Sequence, residues 1–180
     1  MNKAITLFFI IITCNLQAQL IFNITDTLAG NGTDISTSII KSNNGGIILT
    51  AFSNSESFGG VNPMGTDIFF FEYDNNLDLT NIKTIGGSGS ELGRLERSSN
   101  GGYILVGRTD SEDGDIEQHI GSIDIWVVKL DDNFEIEWQN TIGDTLDDYY
   151  IDILETRMGE YVALGMINTC LLYTSPSPRD

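Results

Sequence analysis

The chain is poor in the residues that most often carry chemistry. It has one histidine, His119, and two cysteines, Cys14 and Cys170. A zinc centre draws on several Cys or His ligands, and His119 has no cysteine or second histidine near it. No Ser, His and Asp stand in an identifying context for nucleophilic catalysis, and no G-x-S-x-G occurs. Two cysteines make no disulfide framework, so stability must come from packing. Positive charge is also scarce: 9 Lys and Arg against 26 Asp and Glu give a net charge of −17. Such a field repels nucleic acid and anionic lipid, and it favours solubility outside a cell. The only long apolar run is Ala4 to Thr13. It is too short to cross a hydrocarbon core of ~30 Å as a helix. No other stretch holds a helical period.

What the chain does contain is repetition. TLAGNGTDI opens at Thr27, TIGGSGSEL at Thr84 and TIGDTLDDY at Thr141, successive starts being 57 residues apart. Asp67 opens DIFFFEYDNNLDL and Asp124 opens DIWVVKLDDNFEI, at the same 57-residue spacing. A periodic chain is counted in units, not by length. The units run 27–83 and 84–140, with a partial one at 141–168.

Each unit carries four short runs separated by turn signals. In the middle unit Arg94 to Ser99 is mostly polar, and Asn100-Gly101-Gly102 then marks a hairpin turn. Tyr103 to Thr109 follows, then a loop over 110–122. Ile123 to Leu130 is the most apolar run and predicts a buried strand. After Asp131-Asp132-Asn133, the run Phe134 to Asn140 alternates: Phe134, Ile136 and Trp138 on one face, Glu135, Glu137 and Gln139 on the other. That is the period of a strand with one buried face. The first unit repeats the order with Ile35 to Ser42, Ile47 to Ser53, Asp67 to Tyr73 and Leu77 to Thr84. The third supplies Tyr150 to Thr156 and Tyr161 to Ile167. Four hairpin-joined strands per unit make a small meander, which cannot bury both faces alone. Stacked radially, such sheets cover one another. The fold class expected is all-β: a fragment of a β-propeller, two full four-stranded blades plus part of a third. The rivals are a solenoid, whose coils are usually shorter and lack paired hairpin turns, and a sandwich, which would not need so even a repeat.

The wording NGGYILVGRTDSEDGD…GSIDIWVVKLDDNFEIEWQNTIG resembles the repeats of exported, propeller-like surface proteins of Bacteroidetes-type bacteria. The resemblance covers Thr27 to about Asn168 and is looser in the first unit, where Phe58-Gly59-Gly60-Val61-Asn62-Pro63 replaces the Asp-rich loop. The Gly-His…Trp-Asp pairing of WD repeats is missing, and the double glycine precedes an apolar run, unlike kelch. The resemblance implies a secreted or outer-surface location. The N-terminus agrees: Lys3, the apolar run and the polar Asn15-Leu16-Gln17-Ala18 have the layout of a signal peptide over 1–18. Cys14 as a lipidated residue is the competing reading. Residues 19–26 form a lead-in. The last residues, CLLYTSPSPRD, break the template and resemble translated sequencing-adapter read-through, so 169–180 reads as an artefactual tail.

Asp110-Ser111-Glu112-Asp113-Gly114-Asp115 packs four carboxylates into one loop. Hard cations want several oxygen ligands on a loop able to curl. Asp110, Asp113 and Asp115 are therefore the candidate Ca²⁺ ligands, although the spacing is not that of an EF-hand. The bland alternative is a solvated acidic loop. Trp126 and Trp138 fall on the apolar phase of strands and read as core packing rather than sugar platforms. Gly86-Gly87-Ser88-Gly89 precedes neither helix nor Lys and reads as a turn, not a phosphate loop. The function expected is a non-catalytic exported binding or adhesion module for a protein or glycan, with no cofactor, no nucleic acid and no membrane insertion after signal removal. The alternative is part of a secreted propeller enzyme, for example a carbohydrate-active one, with its active site in other blades.

Overall fold

A computed structural model describes residues 28–57 and 59–168. The signal segment 1–18, the lead-in 19–26, the opening Thr27, Phe58, both cysteines and the tail 169–180 lie outside the described residues. Within them the fold is all-β. β1 (Asp34–Lys41), β2 (Ile47–Ser53), β3 (Asp67–Tyr73) and β4 (Leu79–Ile85) form one antiparallel four-stranded sheet in sequential order. β5 (Leu92–Arg97), β6 (Tyr103–Thr109), β7 (Asp124–Leu130) and β8 (Ile136–Ile142) form a second of the same topology. β9 (Tyr149–Glu155) and β10 (Tyr161–Met166) pair as a third. The expected meanders are present.

The sheets stack face to face, as alternation along the strands requires. Ile68 and Phe70 of β3, with Ile48 of β2, face the second sheet. There they meet Leu95, Tyr103, Leu105, Trp126 and Val128 in one buried cluster. The other phase of the second sheet, Ile104, Val106, Ile125 and Val127, faces the third sheet and packs with Ile153, Tyr161 and Ala163. Trp126 is wholly buried, with its indole N–H given to Gln139. Trp138 is half-buried and lies against the Tyr161 ring. Fully burying one such aliphatic or aromatic side chain contributes ~1.5–3 kcal/mol, so the stacking faces are the main source of stability.

One expected boundary that moves is the start of the fourth strand. Phe134 does not open β8; it sits in the preceding turn with φ 63°, and Leu77, its counterpart in the first unit, has φ 67°. Asp74 and Asp131 build these turns. Asp74 Oδ1 accepts the N–H groups of Asn76 and Asp78, and Asp131 Oδ1 those of Asn133 and Glu135. Phe134 is turned out of the strand and into the core, where its ring stacks on Phe70 and Tyr103 at centroid distances of 4.9 and 5.3 Å.

The repeat also carries a one-residue offset inside the unit. β1 has a register irregularity between Ser36 and Ser38, whereas β5 pairs with β6 without one. A bulge adds one residue to a strand. This is why β2 and β6 are offset by one residue less than the 57 that separates the unit starts.

Candidate functional site

The 110–122 loop lies at one end of the second sheet, over the connection from β4 to β5. That connection, Gly86 to Ser90, presents a row of backbone amides. All five are satisfied by side chains. Gly86 N–H donates to Asp115 Oδ2 (3.0 Å), Gly87 to Glu91 Oε2 (2.9 Å) and Ser88 to Asp113 Oδ1 (2.7 Å). Gly89 donates to Ser111 Oγ (2.8 Å) and Ser90 to Asp110 Oδ1 (2.5 Å). The glycines are required by this closeness: a Cβ on Gly87 would meet the Asp113 carbonyl oxygen at 2.5 Å and the Ser111 Cβ at 2.7 Å. The sequence expectation grouped Asp110, Asp113 and Asp115 as cation ligands. The structure brings them together along a row of amide donors, one oxygen of each spent on a different N–H. Among the described residues no three His, Cys, Asp or Glu side chains are grouped so as to hold a metal ion.

Beneath the rim lies a series of buried carboxylates that composition alone hides. Asp34, Glu91 and Asp148 stand one unit apart, and all are buried. Each closes the same loop: Gly30 N–H donates to Asp34 Oδ2 (2.9 Å), Gly87 to Glu91 Oε2 and Asp144 to Asp148 Oδ2 (2.8 Å). Glu91 Oε1 also accepts the hydroxyls of Thr109 and Ser111, both at 2.6 Å. Asp34 Oδ1 takes the Ser53 and Ser55 hydroxyls in the same way. The signal for these residues was present as an acid at a fixed phase of the repeat.

A second series, Asp67 and Asp124, opens β3 and β7, and these residues are buried too. Asp67 accepts the Met64 and Gly65 amides, and Asp124 those of Ile120 and Gly121. Parallel bridges Thr66–Ser90 and Ile123–Asp147 then tie the start of each third strand to the next unit. The two series meet at the junctions. A Cβ on Gly86 would lie 2.7 Å from Asp67 Oδ1 and 2.7 Å from Glu91 Oε2. Burial pushes the Glu91 carboxyl above its ordinary range against its three hydrogen bonds, with the Asp67 charge adding to the rise. Burial likewise raises Asp67, against its amide bonds and with the Asp115 charge adding to it. The pair is thus biased towards holding a proton.

His119, at the far end of the loop, is mostly covered. Its Nδ1 lies 3.5 Å from Glu112 Oε1 and its Nε2 3.8 Å from Asp124 Oδ2. The outer surface of the loop keeps Glu112, Glu117 and Gln118 exposed. In the first sheet the 54–66 loop is anchored at two equivalent positions, Gly32 N–H donating to Ser55 Oγ and Thr33 N–H to Asn54 Oδ1, and then by a contact of its own, Asn31 and Glu56 bonding to each other twice. The geometry yields a stiff, acidic rim on a repeated frame. No protein-family model matches the chain, and no curated protein matches it.

Proposed function

We propose that the chain is part of an exported β-propeller-type protein of the cell surface or secreted space. In this reading it binds a protein or glycan partner through its rim loops and performs no catalysis. The observation that carries this is the row of side-chain acceptors over Gly86 to Ser90. It spends the acidic residues of the loop on fixing the loop itself. Rigid loops lose little entropy on binding, and loops on a stiff frame are where recognition concentrates. The frame and the first anchors of the loops repeat from unit to unit while the rest of each loop differs, so the rim is free to vary without disturbing the sheets. Its charge favours a basic protein patch or a polyhydroxyl chain over any polyanion.

The enzyme alternative has one observation in its favour, the Asp67–Glu91 pair, since glycoside hydrolysis uses two carboxyl groups with one held protonated. Burial argues against it: Glu91 has no exposed surface, and its three hydrogen bonds all come from the surrounding fold. The test is glycan-array and protein-panel binding with the chain and with a rim variant, Glu112→Gln with Glu117→Gln. Specific binding that the rim variant loses supports the reading. Sugar cleavage abolished by Glu91→Gln would replace it with the enzyme.

A further inference from the structure

We propose that the junction between the second and third sheets binds a hard divalent cation of the Ca²⁺ class through Asp124 and Asp148. This site is distinct from the acidic loop at 110–115 and does not depend on the binding function proposed above. Both residues have no exposed surface. Their carboxylates converge on the backbone of Gly143: a Cβ there would collide with Asp124 Oδ1 and lie 2.5 Å from Asp148 Oδ2. Only a residue without a side chain leaves both oxygens room at this point.

The hydrogen-bond pattern separates this junction from the preceding one. Asp67 shares its two amides between its oxygens, Met64 to Oδ2 and Gly65 to Oδ1. Asp124 instead receives both of its amides, Ile120 at 2.8 Å and Gly121 at 3.0 Å, on Oδ2 alone. Oδ1 is left buried with no hydrogen-bond partner, and it is the Asp124 oxygen that lies, like Asp148 Oδ2, against the backbone of Gly143. Asp148 Oδ2 takes the Asp144 amide, and its Oδ1 only a long bond of 3.4 Å from Asn168. His119 approaches the other oxygen of Asp124 at 3.8 Å, and its own Nε2 is also buried without a partner. Two buried carboxylates side by side, one of them with an oxygen that no donor meets, make a strongly negative point inside a protein. A hard cation answers that need, because it accepts carboxylate oxygens at ~2.3–2.6 Å and completes its shell with main-chain oxygens or water.

The test is calorimetry and thermal melting of the full chain with CaCl2, against Asp124→Asn, Asp148→Asn and, as a loop control, Asp113→Asn. Wild type and the loop control should bind Ca²⁺ and melt several degrees higher in its presence. Either junction variant should weaken binding at least about tenfold, the loss expected when one charged oxygen ligand is neutralised. If one junction variant fails to fold, as judged by circular dichroism, the other carries the comparison. Absence of heat and of any melting shift in wild type would overturn the proposal. So would Ca²⁺ binding that Asp113→Asn abolishes and the junction variants keep. Stabilisation by acid alone, with Ca²⁺ inert, would show that the pair shares a proton instead.

Discussion

Removing the Glu91 carboxylate would strip the acceptor from three donors at once, the Thr109 and Ser111 hydroxyls and the Gly87 amide. Leaving buried donors unmet costs ~1–3 kcal/mol each, and relief of a buried charge offsets part of it. Glu91→Ala should therefore destabilise the chain by about 2–4 kcal/mol at neutral pH, read from denaturant midpoints. The same residue sets a pH dependence. Glu91 and Asp67 have folded-state pKa values raised above those of the unfolded chain, chiefly by burial. Between the ordinary carboxylate range and the raised values, the native state holds more protons than the unfolded state. The stability these groups supply is complete below about pH 4 and is lost as pH rises through the raised values. Asp74 and Asp131 act in the opposite sense. Hydrogen bonds from the Asp78 and Asn76 amides lower Asp74, and those from Glu135 and Asn133 outweigh burial to lower Asp131. Their contribution is lost as pH falls below about 4. The melting temperature should thus rise as pH falls through the raised values towards about 4 and fall again below about pH 4, with the upper slope flattened in Glu91→Ala. A melting temperature that falls monotonically from pH 7 to about pH 4 would refute this account.

At the scale of the element, the turn before the fourth strand holds a leucine or a phenylalanine in the left-handed region, where glycine is at ease. The two side chains justify that conformation differently. Leu77 is half-exposed, whereas Phe134 is buried and stacked between Phe70 and Tyr103. Leu77→Gly relieves backbone strain and loses little packing, so its stability should stay within about 1 kcal/mol of wild type. Phe134→Gly gains the same relief but loses a core ring, and it should destabilise by about 3 kcal/mol or more. Equal effects at the two sites, measured by denaturant unfolding, would mean that the turn and not the core holds Phe134 in place. This turn also marks the limit of what the sequence conveyed. Runs with clean punctuation, Ile47–Ser53, Asp67–Tyr73 and Tyr103–Thr109, are strands with the bounds read from the sequence. Phe134 misled because its apolar phase continues that of Ile136 and Trp138, and periodicity carries no sign of φ. The acidic loop was visible as a cluster. Its partners were not, because they are main-chain amides of a Gly-Ser segment 20 to 29 residues away, which have no side-chain signature.

At the scale of the molecule, the second sheet is covered on both faces by its neighbours, and among the described residues no sheet covers the forward face of the third. One face of β9 and β10 packs on the second sheet through Ile153 and Ala163. On the other face Leu154 stands directly opposite Val162, with Leu164 and Met166 continuing the row along β10. These four are 67%, 38%, 47% and 60% exposed. Their counterparts along β6 include Ile104 and Val106, which are buried because a third sheet covers them. The forward face of β10 is thus built for the contact that β6 makes. Among the described residues β10 also pairs only with β9, so its second edge offers open ladder groups beside an apolar face. Exposed edges and apolar faces promote association, and a charge at their centre is the usual remedy. The chain should therefore self-associate with rising concentration, and its melting temperature should rise with it. Leu154→Lys with Leu164→Lys should give a monomer by light scattering whose melting temperature does not depend on concentration. The double variant should hardly lower stability in dilute solution, because neither leucine is buried there. If instead wild type is monomeric at all concentrations and the lysine pair destabilises it strongly, the face is covered by the chain itself and is not a docking face.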